Sequence, residues 1–153
     1  VLFKQAVKIV HRAHRPGFSR ALVLEADGLP RGGRGTTTAA GIVSWQFQFQ
    51  NGARARKTPT VSLGYGPPPK RFGRPMGVAF PVLEDVVIRK APRLTLFQAV
   101  SLLRRAGQRK PFFNVTLRNP LGPKRLNPLY IFGFAGNRFI AVDTVTKKVA
   151  PIH

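Results

Sequence analysis

Trp45, Phe47 and Phe49 recur at every second position before an Asn51-Gly52 dipeptide, and Arg54, Arg56 and Lys57 follow it. Alternation of this kind predicts a strand, and Asn-Gly between two such runs is the strongest short hairpin signal. With the dipeptide as the whole turn, Gln50 pairs with Ala53, Phe49 lies opposite Arg54 and Phe47 opposite Arg56. One face then interleaves rings with guanidinium groups. Such a face can stack unpaired bases, hold phosphates or make internal cation–π contacts. The same three rings also suit a core, with the arginines leaning outward, and a one-residue slip of register reverses the pairing.

Other cations fall in loops. Arg31 and Arg34 flank two glycines in "RGGRG", a stretch that suits backbone approach to phosphate but lacks the Lys-Ser/Thr ending of a nucleotide-binding loop. Lys70, Arg71 and Arg74 follow Pro67, Pro68 and Pro69 in a proline- and glycine-rich connector. Arg104, Arg105, Arg109 and Lys110 form a basic corner, and Lys124 and Arg125 sit in "NPLGPKRLNP". All of these, with Arg54, Arg56 and Lys57, are candidate RNA contacts; Trp45, Phe47 and Phe49 are candidate stacking residues.

Groups suited to catalysis are sparse. Glu84 and Asp85 are adjacent carboxylates without a neighbouring histidine, so a salt bridge to the arginine excess is the better use for them. His11 and His14 share a helical face but lack a third ligand nearby in sequence. No serine has a nucleophile-elbow setting, and no dinucleotide glycine pattern follows a strand. The expectation is a protein that is not an enzyme, with no cofactor, metal or small-molecule substrate.

Composition points to the partner. Lys and Arg number 26 against 5 Asp and Glu, a formal charge of +21 over 153 residues. Five carboxylates neutralise little of this, and self-repulsion works against an isolated compact state. A polyanion that binds the folded chain therefore also stabilises it. Nucleic acid is the first candidate, through release of counterions from its phosphates; an anionic membrane surface is the second. The absence of cysteine excludes disulfides and thiol chemistry.

The elements that must position these residues read as follows. Residues 1–15 place Leu2, Phe3, Ala6, Val7 and Val10 on one helical face and Lys4, Lys8, Arg12 and Arg15 on another. This acid-poor amphipathic helix also looks like a mitochondrial presequence, retained or partly trimmed. Residues 27–41 predict an extended arm, residues 42–65 the hairpin, and residues 78–90 strand-like runs around Pro81. Thr95 and Gln98 predict a capping box for a helix over about 95–106, with Leu96, Val100 and Leu103 as its apolar stripe. Residues 112–118, 129–134, 138–144 and a piece near Val149 predict strands. The expected fold class is α+β: a small antiparallel C-terminal meander covered by that one helix, preceded by the basic helix, the hairpin and extended Gly/Pro/Arg-rich arms. The expected divisions are 1–41, 42–77 and a compact domain over 78–153.

In its basic excess, apolar body and Gly/Pro/Arg-rich segments the chain resembles ribosomal proteins as a class, a resemblance of composition without a family motif. It implies a structural RNA-binding protein of a large ribonucleoprotein, bracing rRNA and neighbouring proteins, and the N-terminus points to a mitochondrial ribosome in the matrix. The alternative is an accessory subunit of a respiratory complex or ATP synthase, with the basic helix on anionic lipid. Cations spread along the whole chain favour RNA.

Overall fold

The Asn51-Gly52 dipeptide does not close a two-residue hairpin. In the computed structural model, which describes residues 2–53, 57–82, 84–123 and 126–152, strand β2 (Ile42–Gln50) pairs with β3 (Thr60–Tyr65) across a longer connection. The register is Gln50↔Thr60, Phe49↔Val61, Phe47↔Leu63 and Trp45↔Tyr65, so apolar residues and not arginines face the rings. Asn51 is buried and tied by three hydrogen bonds: its side-chain amide donates to Thr58 O at 2.9 Å, its Oδ1 accepts from Ala53 N at 3.0 Å, and its own N–H donates to Pro59 O at 3.0 Å. Gly52 N meanwhile donates to Gly17 O at 3.0 Å. Asparagine here organises a wide loop against a distant turn, and the expected pairing of Phe47 and Phe49 with arginines is corrected. Arg54 and Arg56 themselves lie outside the described residues, as do Lys124 and Arg125.

The expected fold class is corrected as well. In place of a small C-terminal meander with extended arms, the described residues form one eight-stranded antiparallel sheet. Besides β2 and β3 it contains β1 (Leu22–Pro30), β4 (Met76–Val78), β5 (Asn114–Arg118), β6 (Leu129–Phe134), β7 (Arg138–Asp143) and β8 (Val149–Ile152). Their order is β4-β3-β2-β1-β5-β6-β7-β8. β1 joins the two halves, pairing with β2 on one side and β5 on the other.

β1 takes in part of the expected arm, although "ADGLP" has the residues of a turn. Gly28 is there because Trp45 crosses it: a Cβ at Gly28 would stand 2.7 Å from Ile42 Cγ2 and 2.9 Å from the Trp45 ring. Pro30 closes the strand at a shift of register between Leu29 and Pro30, the kind of irregularity at which a sheet tolerates a missing N–H. The rest of the expected arm is tied down by a bridge between Thr36 and Phe112, with Thr36 N donating to Phe112 O at 2.9 Å. Of the strand-like runs expected over residues 78–90, β4 ends at Val78, and the described remainder is bridged to β1 by Val23↔Ile88 and to the residues just after β5 by Asp85↔Pro120.

Two α-helices among the described residues pack on one face of the sheet. α1 (Leu2–Arg12) buries Ala6 and Val10 and lays Leu2, Phe3, Val7 and Ile9 on the core. α2 (Leu96–Arg105) buries Ala99, Val100 and Leu103. Its start is set by Thr95 Oγ1 accepting from Gln98 N at 3.1 Å while Gln98 Oε1 accepts from Thr95 N at 2.9 Å. Between helices and sheet lie Phe47, Phe49, Val61, Leu63, Phe112, Phe132 and Val142, all nearly inaccessible to solvent. Phe112 and Phe132 meet edge to face at 4.9 Å between centroids, a favoured geometry for ring pairs.

Candidate nucleic-acid interface

The second face of the sheet collects the carboxylates. One cross-strand row runs Met76, Ser62, Gln48, Glu25, Arg118, Leu129 and Asp143; the next runs Gly64, Gln46, Asp27, Thr116, Ile131 and Ala141. Directly opposed residues project to the same side of an antiparallel sheet. Glu25, Asp27 and Asp143 therefore belong to this face, and Asp85 and Glu84 join it through Arg118. Arg118 Nε donates to Asp85 Oδ1 at 2.7 Å, and its guanidinium is 3.9 Å from Glu84. All five acidic residues of the chain are thus gathered on or beside one sheet face. Among the described residues, Arg118 is the only basic residue in a salt bridge.

Within this acidic patch the Asp85 side chain is 1% exposed, and its Oδ2 has no ordinary donor. Glu25 stands next to it, and in its protonated form its carboxyl can donate to the Asp85 carboxylate. Burial, a hydrogen bond to Asp85 and the charges of Asp27 and Asp85 push the Glu25 carboxyl from its ordinary 4.5 up to about 8. The folded chain then holds a proton that the unfolded chain releases near 4.5. The resulting stabilisation is complete below that value and is lost as pH rises through about 8. Glu25→Gln, which keeps a donor at every pH, is expected to flatten the fall in urea midpoint between pH 6 and 9. Parallel profiles for variant and parent would contradict the shared proton. Asp143 moves the other way: partial burial raises it, but N–H donation from Thr146 and Val145 outweighs that and holds the carboxyl low.

The described basic candidates lie elsewhere and are exposed. Arg31 and Arg34 are exposed on the turn after β1, and Lys57 on the β2–β3 connection. Lys70, Arg71 and Arg74 are exposed on the β3–β4 connection; Arg104 and Arg105 end α2, with Arg109 and Lys110 exposed just beyond. The structure brings Lys70 and Arg71 together with Lys8 and Arg12 of α1. Arg89, Lys90, Arg93 and Lys147, which were not candidates, line an open groove of about 850 Å³ beside residues 87–94. Three of those four cations fall within five residues of sequence, a density that was available as a signal. Lys147 arrives only through the β7–β8 turn.

The stacking candidates fare differently. Phe47 and Phe49 are 2% and 0% exposed and lie beneath the helices, so neither ring is open to a base. Trp45 is half-buried against the same core. The aromatic side of β2 builds the core because the helices cover it, and its glutamine side meets solvent beside the carboxylates. Partly accessible rings next to cations are instead Tyr65 and Phe72, 4.7 Å apart. Their position on either side of the proline run was the available signal.

No helix among the described residues is long and apolar enough to cross a membrane, and no three His, Cys, Asp or Glu side chains among them are placed to hold a metal. No protein-family model matches the chain, and no curated protein or solved structure matches it.

Proposed function

We propose that the chain is a structural RNA-binding protein of a large ribonucleoprotein, with a mitochondrial ribosome as the setting its strongly basic, acid-poor composition favours. The supporting observation is the separation of charge. The few carboxylates keep to one sheet face, while exposed cations on α1, the β3–β4 connection, residues 89–93 and the end of α2 lack acidic partners among the described residues. Phosphates of folded RNA complete such a surface by charge neutralisation and need no sequence readout.

The open sheet face is not the RNA platform in this reading. Sheet platforms that bind single strands present aromatic rings to the bases, whereas Gln46, Gln48, Glu25 and Asp27 occupy the centre of this face, and the Asp27 charge would repel phosphate. The membrane alternative is weaker for a second reason. An interfacial helix must give its apolar side to lipid, and α1 has committed Ala6, Val10, Leu2, Phe3 and Val7 to the core. The experiment that tests the proposal is binding of the full chain to structured RNA, and to anionic vesicles, as a function of salt.

A further inference from the structure

We propose that the groove between α1 and the β3–β4 connection is a site for one unpaired nucleotide of single-stranded RNA, its base against Tyr65 and Phe72 and its flanking phosphates against Lys8, Arg12, Lys70 and Arg71. This rests on the RNA-binding reading above and gives it a particular place and ligand class.

The groove has a volume of about 420 Å³ and is lined by those six side chains with Gln5 and Ile9. Single-ligand pockets run from about 300 to 1,000 Å³. Four exposed cations and no carboxylate line it, so its field is of one sign. The floor is aromatic. Phe72 leans on Tyr65 at 4.7 Å and 53°, and its other neighbour is the buried Phe47 at 6.3 Å. A partly exposed ring anchored in the core offers a stacking surface without first having to be ordered.

Backbone bonds fix the cations on the loop side. Tyr65 and Phe72 form a bridge, Gly66 N donates to Arg71 O at 3.1 Å, Gly73 N donates to Gly64 O at 2.9 Å, and Arg71 N donates to Pro69 O at 2.9 Å. Across the groove, Lys8 and Arg12 are four residues apart and share one side of α1. The chemistry joins two phosphate-binding walls to an aromatic floor. A duplex keeps its bases stacked inside and can engage only the walls; an unpaired strand can engage walls and floor together.

The test uses the full chain and two probes of about 12 nucleotides, within the usual span of single-strand sites: a mixed-sequence single strand and a duplex of equal length. Phe72→Leu keeps an apolar contact with Phe47 and removes the ring; Lys70→Ala/Arg71→Ala removes one wall; Lys147→Ala/Lys148→Ala removes two cations elsewhere. Phe72→Leu is expected to weaken single-strand binding about 5-fold or more, in line with the loss of one base–aromatic contact, and to leave duplex binding unchanged. The Lys70/Arg71 variant should lose more single-strand affinity than the Lys147/Lys148 control. Unaltered single-strand affinity in Phe72→Leu, with unaltered thermal melting, overturns the groove while RNA binding stands. Equal losses in both double variants overturn it too. Failure of the parent chain to bind either probe at low salt overturns the RNA-binding reading itself.

Discussion

Raising monovalent salt from 50 to 200 mM is expected to weaken binding of this chain to structured RNA by about 10³-fold, with log affinity falling linearly in log salt. The magnitude follows from six or more phosphate contacts, each releasing a condensed counterion. The exposed cations of the described surface supply more than that number, from α1, residues 70–74, residues 89–93 and residues 104–110. Surface charges interacting with each other are screened at such salt and contribute little, so a steep slope is specific to an external polyanion. A shallow slope with RNA beside a steep one with anionic vesicles would transfer the account to a lipid surface.

Arg118→Met is expected to destabilise the fold by about 3 kcal/mol, near the lower limit for breaking a buried ion pair, because Arg118 itself keeps some solvent contact. The partner left behind is Asp85, buried beside Glu25 and Asp27 with no other cation within bonding distance among the described residues. The exposed contact from Arg118 to Glu84 adds little. Removing one positive charge from a chain of net charge +21 should relieve repulsion, so a large loss points to this particular pair. The pair fastens residues 84–88 to the ends of β1 and β5, where Val86 N donates to Asn119 O at 2.8 Å and Ile88 N to Val23 O at 2.7 Å. In Asp85→Asn/Arg118→Met more than half of the loss should return. A urea midpoint unchanged by Arg118→Met would show that the pair does not hold this junction.

Elements with local signals were legible in the sequence. α2 carries its own capping box and apolar stripe, and β5, β6 and β7 alternate or run apolar between turn residues. α1 shows its two faces plainly. What escaped were features set by distant partners. β1 was hidden because Asp27, Gly28 and Pro30 each suit a turn; Gly28 is required by the Trp45 ring, and only the β2 register reveals that. A shift of register between Val23 and Glu25 also breaks the alternation that would have marked the strand. Asn51-Gly52 misled because its hydrogen bonds go to Thr58, Pro59 and Gly17 in place of a tight turn. For the candidate site, the basic loops were visible as composition, but the meeting of α1 with Lys70 and Arg71 depends on how the helix crosses the sheet. The segregation of the acidic residues depends on strand order and has no trace in local sequence.

That segregation makes the most direct test a residue-resolved one. Ultraviolet cross-linking of this chain in intact cells, followed by its capture and mass spectrometry of nucleotide-bearing peptides, is predicted to place adducts on α1, residues 65–74, residues 89–93 and residues 104–110. Gln46, Gln48 and Thr116 themselves should carry none. Adducts centred on that sheet face, or recovery of the chain with no nucleotide anywhere on the basic surface, would contradict the account.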